Sequence, residues 1–258
     1  MLRDLRALLV DLDGVLYVED EAIAGARSAV ERLRAGGLAL RFVTNTTSHS
    51  RAHTLQKLAR LGFIVEPREL VTPAALAVSH CREQGHRRVA LIMNDEVKRD
   101  FPGLEEVPAE RCDAVIVGDL GPAFGYDVLN RAFRAVMDGA ELVALQKNRY
   151  WLRADGLSLD VGPFVAALEF ATGREAYVVG KPAPAFFTEV LDDLGVEPGA
   201  AAMVGDDAES DIGGALAVGL DAILVRTGKF REAALRSSQI TPTATVDSIV
   251  DVADLVGS

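Results

Sequence analysis

The chain has little of what extracellular, membrane-spanning or nucleic-acid-binding proteins rely on. Its 258 residues hold two cysteines, Cys81 and Cys112, with no CxxC pair and no zinc-type spacing. That leaves no disulfide framework, and reduced thiols in a cytosolic protein are expected. No apolar run approaches the ~20 residues that a membrane-spanning helix needs. The first residues run straight into a strand-like stretch without a charged-then-apolar leader, so a soluble, cytoplasmic protein is expected. Positive charge is also short: 27 Lys and Arg face 38 Asp and Glu, for a net charge of −11. Nonspecific binding to nucleic acid or to an anionic membrane needs a basic surface, so neither is expected as a partner. A phosphorylated ligand would have to be captured locally, against the overall field. Aromatics are sparse at 6%, but hydrophobic residues make up 49%, enough for a sizeable core.

What is present is an alternation. Short apolar runs of strand length, such as Leu8–Val10, 38–43, 89–93, 113–117, 142–145, 201–204 and 222–225, alternate with segments of helical spacing. The helical segments include 26–35, 74–83, 126–137, 164–171, 186–194, 209–218 and 247–255, and the first ends in Gly36-Gly37, a C-cap signal. The stretch QKNRYWLRADGLSLDVGP reads as irregular. This βαβα order predicts an α/β fold with parallel sheet. The first run ends in Asp11 and Asp13, one residue apart, at the end of a strand where open α/β sheets bind ligands. Two carboxylates that close repel unless a cation lies between them or one takes a proton.

Other strand ends carry polar groups suited to phosphate. Thr44 and Asn45 follow the second run, Lys181 stands just past Val179, and Asp206, Asp207 and Asp211 follow the run at 201–204. Singly, these have plain readings: helix caps, a solvated lysine, acids favoured by a helix dipole. Together they match phosphoryl transfer through an aspartyl phosphate. A carboxylate that attacks an anionic phosphate needs a divalent cation to screen the repulsion, and oxygen-only ligands suit Mg²⁺. A lysine and a hydroxyl supply donors for the phosphoryl oxygens.

The stretches LLVDLDGVLY, FVTNTTSHSR, VVGKPAP and MVGDDAESDIGGA resemble the four motifs of the haloacid dehalogenase superfamily. The resemblance implies Asp11 as nucleophile and Asp13 as general acid/base. It implies Thr44, Asn45 and Lys181 as phosphate-binding groups, and Asp207 and Asp211 as supporting acids. Mg²⁺ would be held by Asp11, Asp206 and the Asp13 carbonyl. Thr44 lies 33 positions after Asp11, whereas Lys181 lies 137 positions after Thr44. Only the second interval has room for a domain of ~100 residues. That arrangement is similar to subfamily IIA, the NagD-like or 4-nitrophenylphosphatase-like enzymes. It implies a Rossmann-like parallel-sheet core at 1–72 and 177–258, with helices on both faces, and an inserted C2-type α/β cap at 73–176. Members of the same subgroup carry serine where this chain has Asp13; an intact acid pair favours ordinary phosphatase chemistry.

The expected activity is therefore Mg²⁺-dependent hydrolysis of a small phosphorylated substrate. Inorganic pyrophosphate or a phospholysine or phosphohistidine is an alternative substrate. A noncatalytic phosphate sensor or phosphoacceptor domain is the alternative of another class, disfavoured by the long insert and by Asp13. Lys147, Arg149, Tyr150 and Trp151 follow an apolar run within the insert and are expected either to select substrate or to pack in the cap or a cap-mediated homodimer. His49 and His53 have a metal-capable spacing but no evident third ligand, and read as solvated. Gly213-Gly214 reads as close helix–sheet packing rather than a nucleotide loop.

Overall fold

The computed structural model describes residues 2, 4–153 and 156–256, without the side chains of Leu152 and Arg153. Met1, Arg3, Ala154, Asp155, Gly257 and Ser258, which fall within the expected domains, lie outside the described residues. The chain forms two compact units, one of residues 1–44, 54–71 and 181–258, the other of 45–53 and 72–180.

The first unit is built on a six-stranded sheet. Its spatial order is Ala244–Val246, Asp221–Val225, Ala201–Gly205, Ala7–Asp11, Ala39–Val43, Leu70–Val71, and every neighbouring pair is parallel. Ala7–Asp11 is buried along its whole length, as a strand covered by helices on both faces must be. Leu8, Val10 and Phe42 pack with Ala29, Val30 and Leu33 of helix Ala26–Ala35 and with Val252 and Ala253 of helix Ile249–Val256. Fully burying one such Leu or Val contributes about 1.5–3 kcal/mol, so this layer is a main source of the unit's stability. A Cβ at Gly214 would stand 2.7 Å from the Phe187 ring, and one at Gly213 2.8 Å from Ile240. The glycine pair thus admits a neighbouring helix and an Ile side chain, rather than the sheet that its spacing suggests.

The second unit has a five-stranded parallel sheet in the order Tyr177–Val178, Glu141–Ala144, Ala114–Val117, Arg88–Ile92, Glu105–Glu106. Helices Tyr126–Met137 and Val161–Thr172 cover it through Ala132, Ala135, Val136, Val165 and Leu168. The stretch expected to be irregular contains an antiparallel hairpin, Tyr150–Arg153 with Gly156–Leu159. The helix after it begins at Val161 because Asp160 Oδ1 accepts the Val161 N–H at 2.8 Å. Pro163 then falls in the first turn, where no N–H is needed. No helix among the described residues is long and apolar enough to cross a membrane.

Candidate active site

Strand register brings the polar strand ends of the first unit to one edge. Asp11 is level with Val43, and Val10 with Val204. Thr44 and Asp206, each one residue past its strand, therefore emerge beside Asp11. After Asp11 the chain turns sharply: the Leu12 carbonyl accepts from the N–H groups of Val15, Leu16 and Tyr17, and Gly14 has φ +80°. Buried Leu12 anchors this turn.

Lys181 is buried and donates to Asp11 Oδ1 and Asp211 Oδ1, both at 2.7 Å. Burial works against its ammonium, but the two carboxylates outweigh burial and hold its pKa above normal. Asp211 is placed by a wide turn in which the Asp207 carbonyl accepts from both Asp211 and Ile212 N–H. A Cβ at Gly205 would lie 2.3 Å from the Asp211 Cβ, so only glycine lets the acid lie against the strand end. Asp206 Oδ2 accepts the Lys229 N–H at 2.6 Å, whereas Asp206 Oδ1 is buried with no hydrogen-bond partner.

Asp11, Asp206 and Asp211 each offer a carboxylate oxygen, and these oxygens lie within 4.8 Å of one another. Burial, then the charges of Asp11 and Asp211, push the Asp206 pKa up to about 8. Burial raises that of Asp211 to about 6 against the pull of Lys181, and raises that of Asp11 as well. Crowded, desolvated carboxylates with an orphan oxygen are short of positive charge. An oxygen-only donor set of this kind suits a hard divalent cation.

Asp13 is half-buried, and its Oδ2 accepts the Tyr17 hydroxyl at 3.4 Å. Thr44 is buried, its N–H donating to the Val71 carbonyl. Asp207 caps the following turn, accepting the N–H groups of Glu209 and Ser210 at 3.0 Å. Asn45 belongs to the second unit, where its Oδ1 lies against Gly180. In that unit Lys147 is paired with Glu169 at 2.6 Å, while Arg149 and Tyr150 are exposed. Trp151 lines a hollow with Phe124, Leu159 and Phe164, in which Phe124 and Phe164 stack at 3.8 Å.

Further residues belong to the first unit's site that strand-end motifs alone did not single out. Lys229 carries a raised pKa: burial opposes its charge, and Asp11, Asp206, Asp207 and Asp211 more than compensate. The Thr227 hydroxyl donates to the Gly14 carbonyl. Cβ atoms on Gly14 and Gly228 would fall 1.9 and 2.1 Å from Asp206 Oδ2. The sequence signal was the TGK tripeptide after the run at 222–225, another polar strand end.

Family models described as haloacid dehalogenase-like hydrolase and HAD-hydrolase-like match residues 8–105 and 178–252. Human haloacid dehalogenase-like hydrolase domain-containing protein 2 is 43% identical over 98% of this chain and 96% of its own. Human phospholysine phosphohistidine inorganic pyrophosphate phosphatase is 40% identical over 99% and 95%. Among solved structures, a p-nitrophenyl phosphatase from Archaeoglobus fulgidus superposes with TM-score 0.92 at 26% identity, covering 98% of this chain and 99% of that one. The glycerol phosphate phosphatase Rv1692 from Mycobacterium tuberculosis, in complex with magnesium, gives 0.85 at 30% identity, covering 99% and 79%. The chain belongs to the haloacid dehalogenase-like hydrolases, in subfamily IIA, the branch of NagD-like and 4-nitrophenylphosphatase-like phosphatases.

Proposed function

We propose that this chain is a Mg²⁺-dependent phosphatase that hydrolyses a small phosphorylated substrate through an aspartyl phosphate on Asp11. The observation that carries the reading is the buried set Asp11, Asp206 and Asp211 beside Lys181, with one Asp206 oxygen lacking a partner. Asp11, Asp206 and the Asp13 carbonyl would hold Mg²⁺, with Asp211 behind them. The bound cation would screen the approach of carboxylate to phosphate and draw charge from the phosphoryl oxygens.

The protein's own groups account for the remaining steps. Lys181 orients the Asp11 carboxylate, and with the Thr44 hydroxyl it offers donors to the phosphoryl oxygens. An Asp11 oxygen forms a bond to phosphorus as the bond to the leaving oxygen breaks. The leaving oxygen takes a proton from Asp13. Asp13, now ionised, removes a proton from water. The resulting attack on phosphorus breaks the bond to Asp11, releases inorganic phosphate and returns the proton to Asp13. The Tyr17 hydroxyl holds Asp13 in position throughout. The second unit acts as the cap: it admits substrate and excludes water when closed.

The kinship with a phospholysine phosphohistidine inorganic pyrophosphate phosphatase supports a second reading of the leaving group, as an amine or a second phosphate. Asp13 favours phosphomonoesters, because a poor alkoxide leaving group gains most from a positioned acid. In the direct test, Asp11→Asn abolishes turnover of 4-nitrophenyl phosphate and the acid-stable phosphoenzyme, with the folding transition unchanged. Retention of substantial turnover would move the nucleophile elsewhere.

A further inference from the structure

His49 and His53 acquire in three dimensions the third ligand that their sequence neighbourhood lacks. Glu96, on the short helix Asp95–Lys98, meets both rings within the second unit. His53 Nδ1 lies 3.2 Å from Glu96 Oε1, and His49 Nδ1 lies 3.6 Å from Glu96 Oε2. The two imidazoles stack with centroids 4.2 Å apart, and both Nδ1 atoms face the one carboxylate. We propose that His49, His53 and Glu96 form a second metal site, selective for a borderline divalent transition metal of the zinc type.

The dimensions fit. Donor atoms on a tetrahedral zinc at 2.0–2.1 Å stand about 3.3 Å from one another. The two nitrogen–oxygen separations, each to a different Glu96 oxygen, bracket that value, and one ligand atom from each residue falls within 4.8 Å of the others. The carboxylate is oriented by neighbours, as metal ligands generally are. Glu96 Oε1 accepts the Ser50 N–H at 2.9 Å and the Ser50 hydroxyl at 3.1 Å. These bonds lower the Glu96 pKa and keep it ionised. The same Ser50 hydroxyl accepts the His53 N–H at 3.2 Å, which caps helix Arg51–Arg60 and fixes where His53 starts. The neighbouring Asp100 is engaged by the Arg51 N–H at 2.6 Å and is not a fourth donor. The side chains of His49 and His53 are 51% and 40% exposed, which leaves room for water in the remaining position.

Exposed His–Glu pairs hold little by themselves, since solvent screens them. Two stacked imidazoles facing one carboxylate make better sense as a ligand set. The donor chemistry separates this site from the first unit's cluster: imidazole nitrogens select zinc-like ions over Mg²⁺, whereas an all-carboxylate set suits a hard cation such as Mg²⁺.

The test uses the full chain without an affinity tag, dialysed against Zn²⁺ or Co²⁺ in a large excess of Mg²⁺. In an Asp206→Asn background, which dismantles the carboxylate cluster, one equivalent of Zn²⁺ remains bound. Its affinity falls at least about tenfold in His49→Gln or His53→Gln, the smallest loss expected when even an outer-shell partner is removed. The Co²⁺ form shows an intense visible band of a four-coordinate nitrogen–oxygen site that is absent from the double histidine variant. In the Asp206→Asn background Zn²⁺ raises the melting temperature of the parent and not of the double histidine variant; with Asp206 intact, the double histidine variant keeps the metal-free melting temperature and the Mg²⁺-supported hydrolysis of the unmodified chain. Equal Zn²⁺ retention in the parent and the double histidine variant would overturn the proposal. So would loss of all Zn²⁺ in Asp206→Asn alone.

Discussion

In the proposed mechanism a single acid, Asp13, distinguishes ordinary ester hydrolysis from easier chemistry. Asp13→Ser removes the proton donor while leaving Asp11, Lys181 and the carboxylate cluster in place. An alkyl phosphate, whose leaving oxygen must be protonated, should lose about 10²–10⁴-fold in kcat. 4-Nitrophenyl phosphate, whose phenolate leaves unaided, should lose far less in its first step. Parallel kinetics on the two substrates check this, and equal losses would remove Asp13 from the acid role. The acids were picked out in the sequence by strand-end position taken together with the family resemblance, and the structure gathers Asp11, Asp206 and Asp211 at one place. The glycines around Asp206 were not picked out. Gly14 and Gly228 are far apart in the chain, and their approach to one carboxylate exists only after the sheet forms. Gly228 also has φ +59°, so Gly228→Ala combines a backbone penalty of about 1–3 kcal/mol with a direct push on Asp206. That variant should melt at lower temperature and need about 10–100-fold more Mg²⁺ for half-maximal activity, by analogy with disturbed outer-shell partners. A Mg²⁺ titration that matches the parent would show that Asp206 holds its place without the close approach. Lys229 escaped notice for the same reason: its neighbours belong to other strand ends.

At the scale of elements, long amphipathic segments and fully apolar strands were readable, and short edge strands were not. Helices Ala26–Ala35 and Tyr126–Met137 fall where their spacing puts them. Strands Leu70–Val71, Glu105–Glu106 and Ala244–Val246 are too short or too polar to carry a period, and gain strand form only from a neighbour's hydrogen bonds. The hairpin Tyr150–Arg153 with Gly156–Leu159 was hidden by mixed polarity. Its alternation became meaningful once the pairing Tyr150↔Leu159 and Trp151↔Ser158 assigned its two faces. Trp151 and Ser158 turn toward the hollow that Phe124 and Phe164 line. Just before the hairpin, Lys147 is occupied by Glu169, which leaves exposed Arg149 as the stronger candidate for contact with an anionic substrate. Arg149→Ala should raise KM for a substrate bearing a second anionic group by about tenfold, the value of one charge-assisted contact, with little change for 4-nitrophenyl phosphate. Equal changes for both substrates would remove the loop from substrate selection.

At the scale of the whole molecule, the order of strands decides how the chain must assemble. Ala7–Asp11 pairs on one side with Ala39–Val43 and on the other with Ala201–Gly205, after the second unit has been interposed. The candidate catalytic edge is thus complete only when the last third of the chain is in place, a non-local pairing of the kind that slows folding. The second unit's outer hairpin face bears on self-association. Tyr150, Leu157 and Leu159 lie on one face of the hairpin and are 56%, 70% and 65% exposed, with Leu159 also at the rim of the hollow beside Trp151. A two-stranded sheet of this sort is marginal when isolated, and an apolar face of this kind marks an interaction surface. Self-association through this face is the reading to test, since a second copy of the chain would offer a matching apolar face. Each copy has a net charge of −11, so two copies repel beyond the contact itself, and the apolar face must overcome that repulsion. Added salt shortens the reach of the repulsion to about 8 Å at physiological strength and further above it. A homodimer formed through this face should therefore tighten as salt rises, opposite to an interface held by ion pairs. Leu157→Glu with Leu159→Glu should dissociate it, since truncating one buried anchor commonly costs at least about 2 kcal/mol, or some thirtyfold in Kd. Sedimentation equilibrium across a salt series reads both effects. A wild-type chain that stays monomeric at high salt, or a double variant as dimeric as the parent, would show that this face is not the contact.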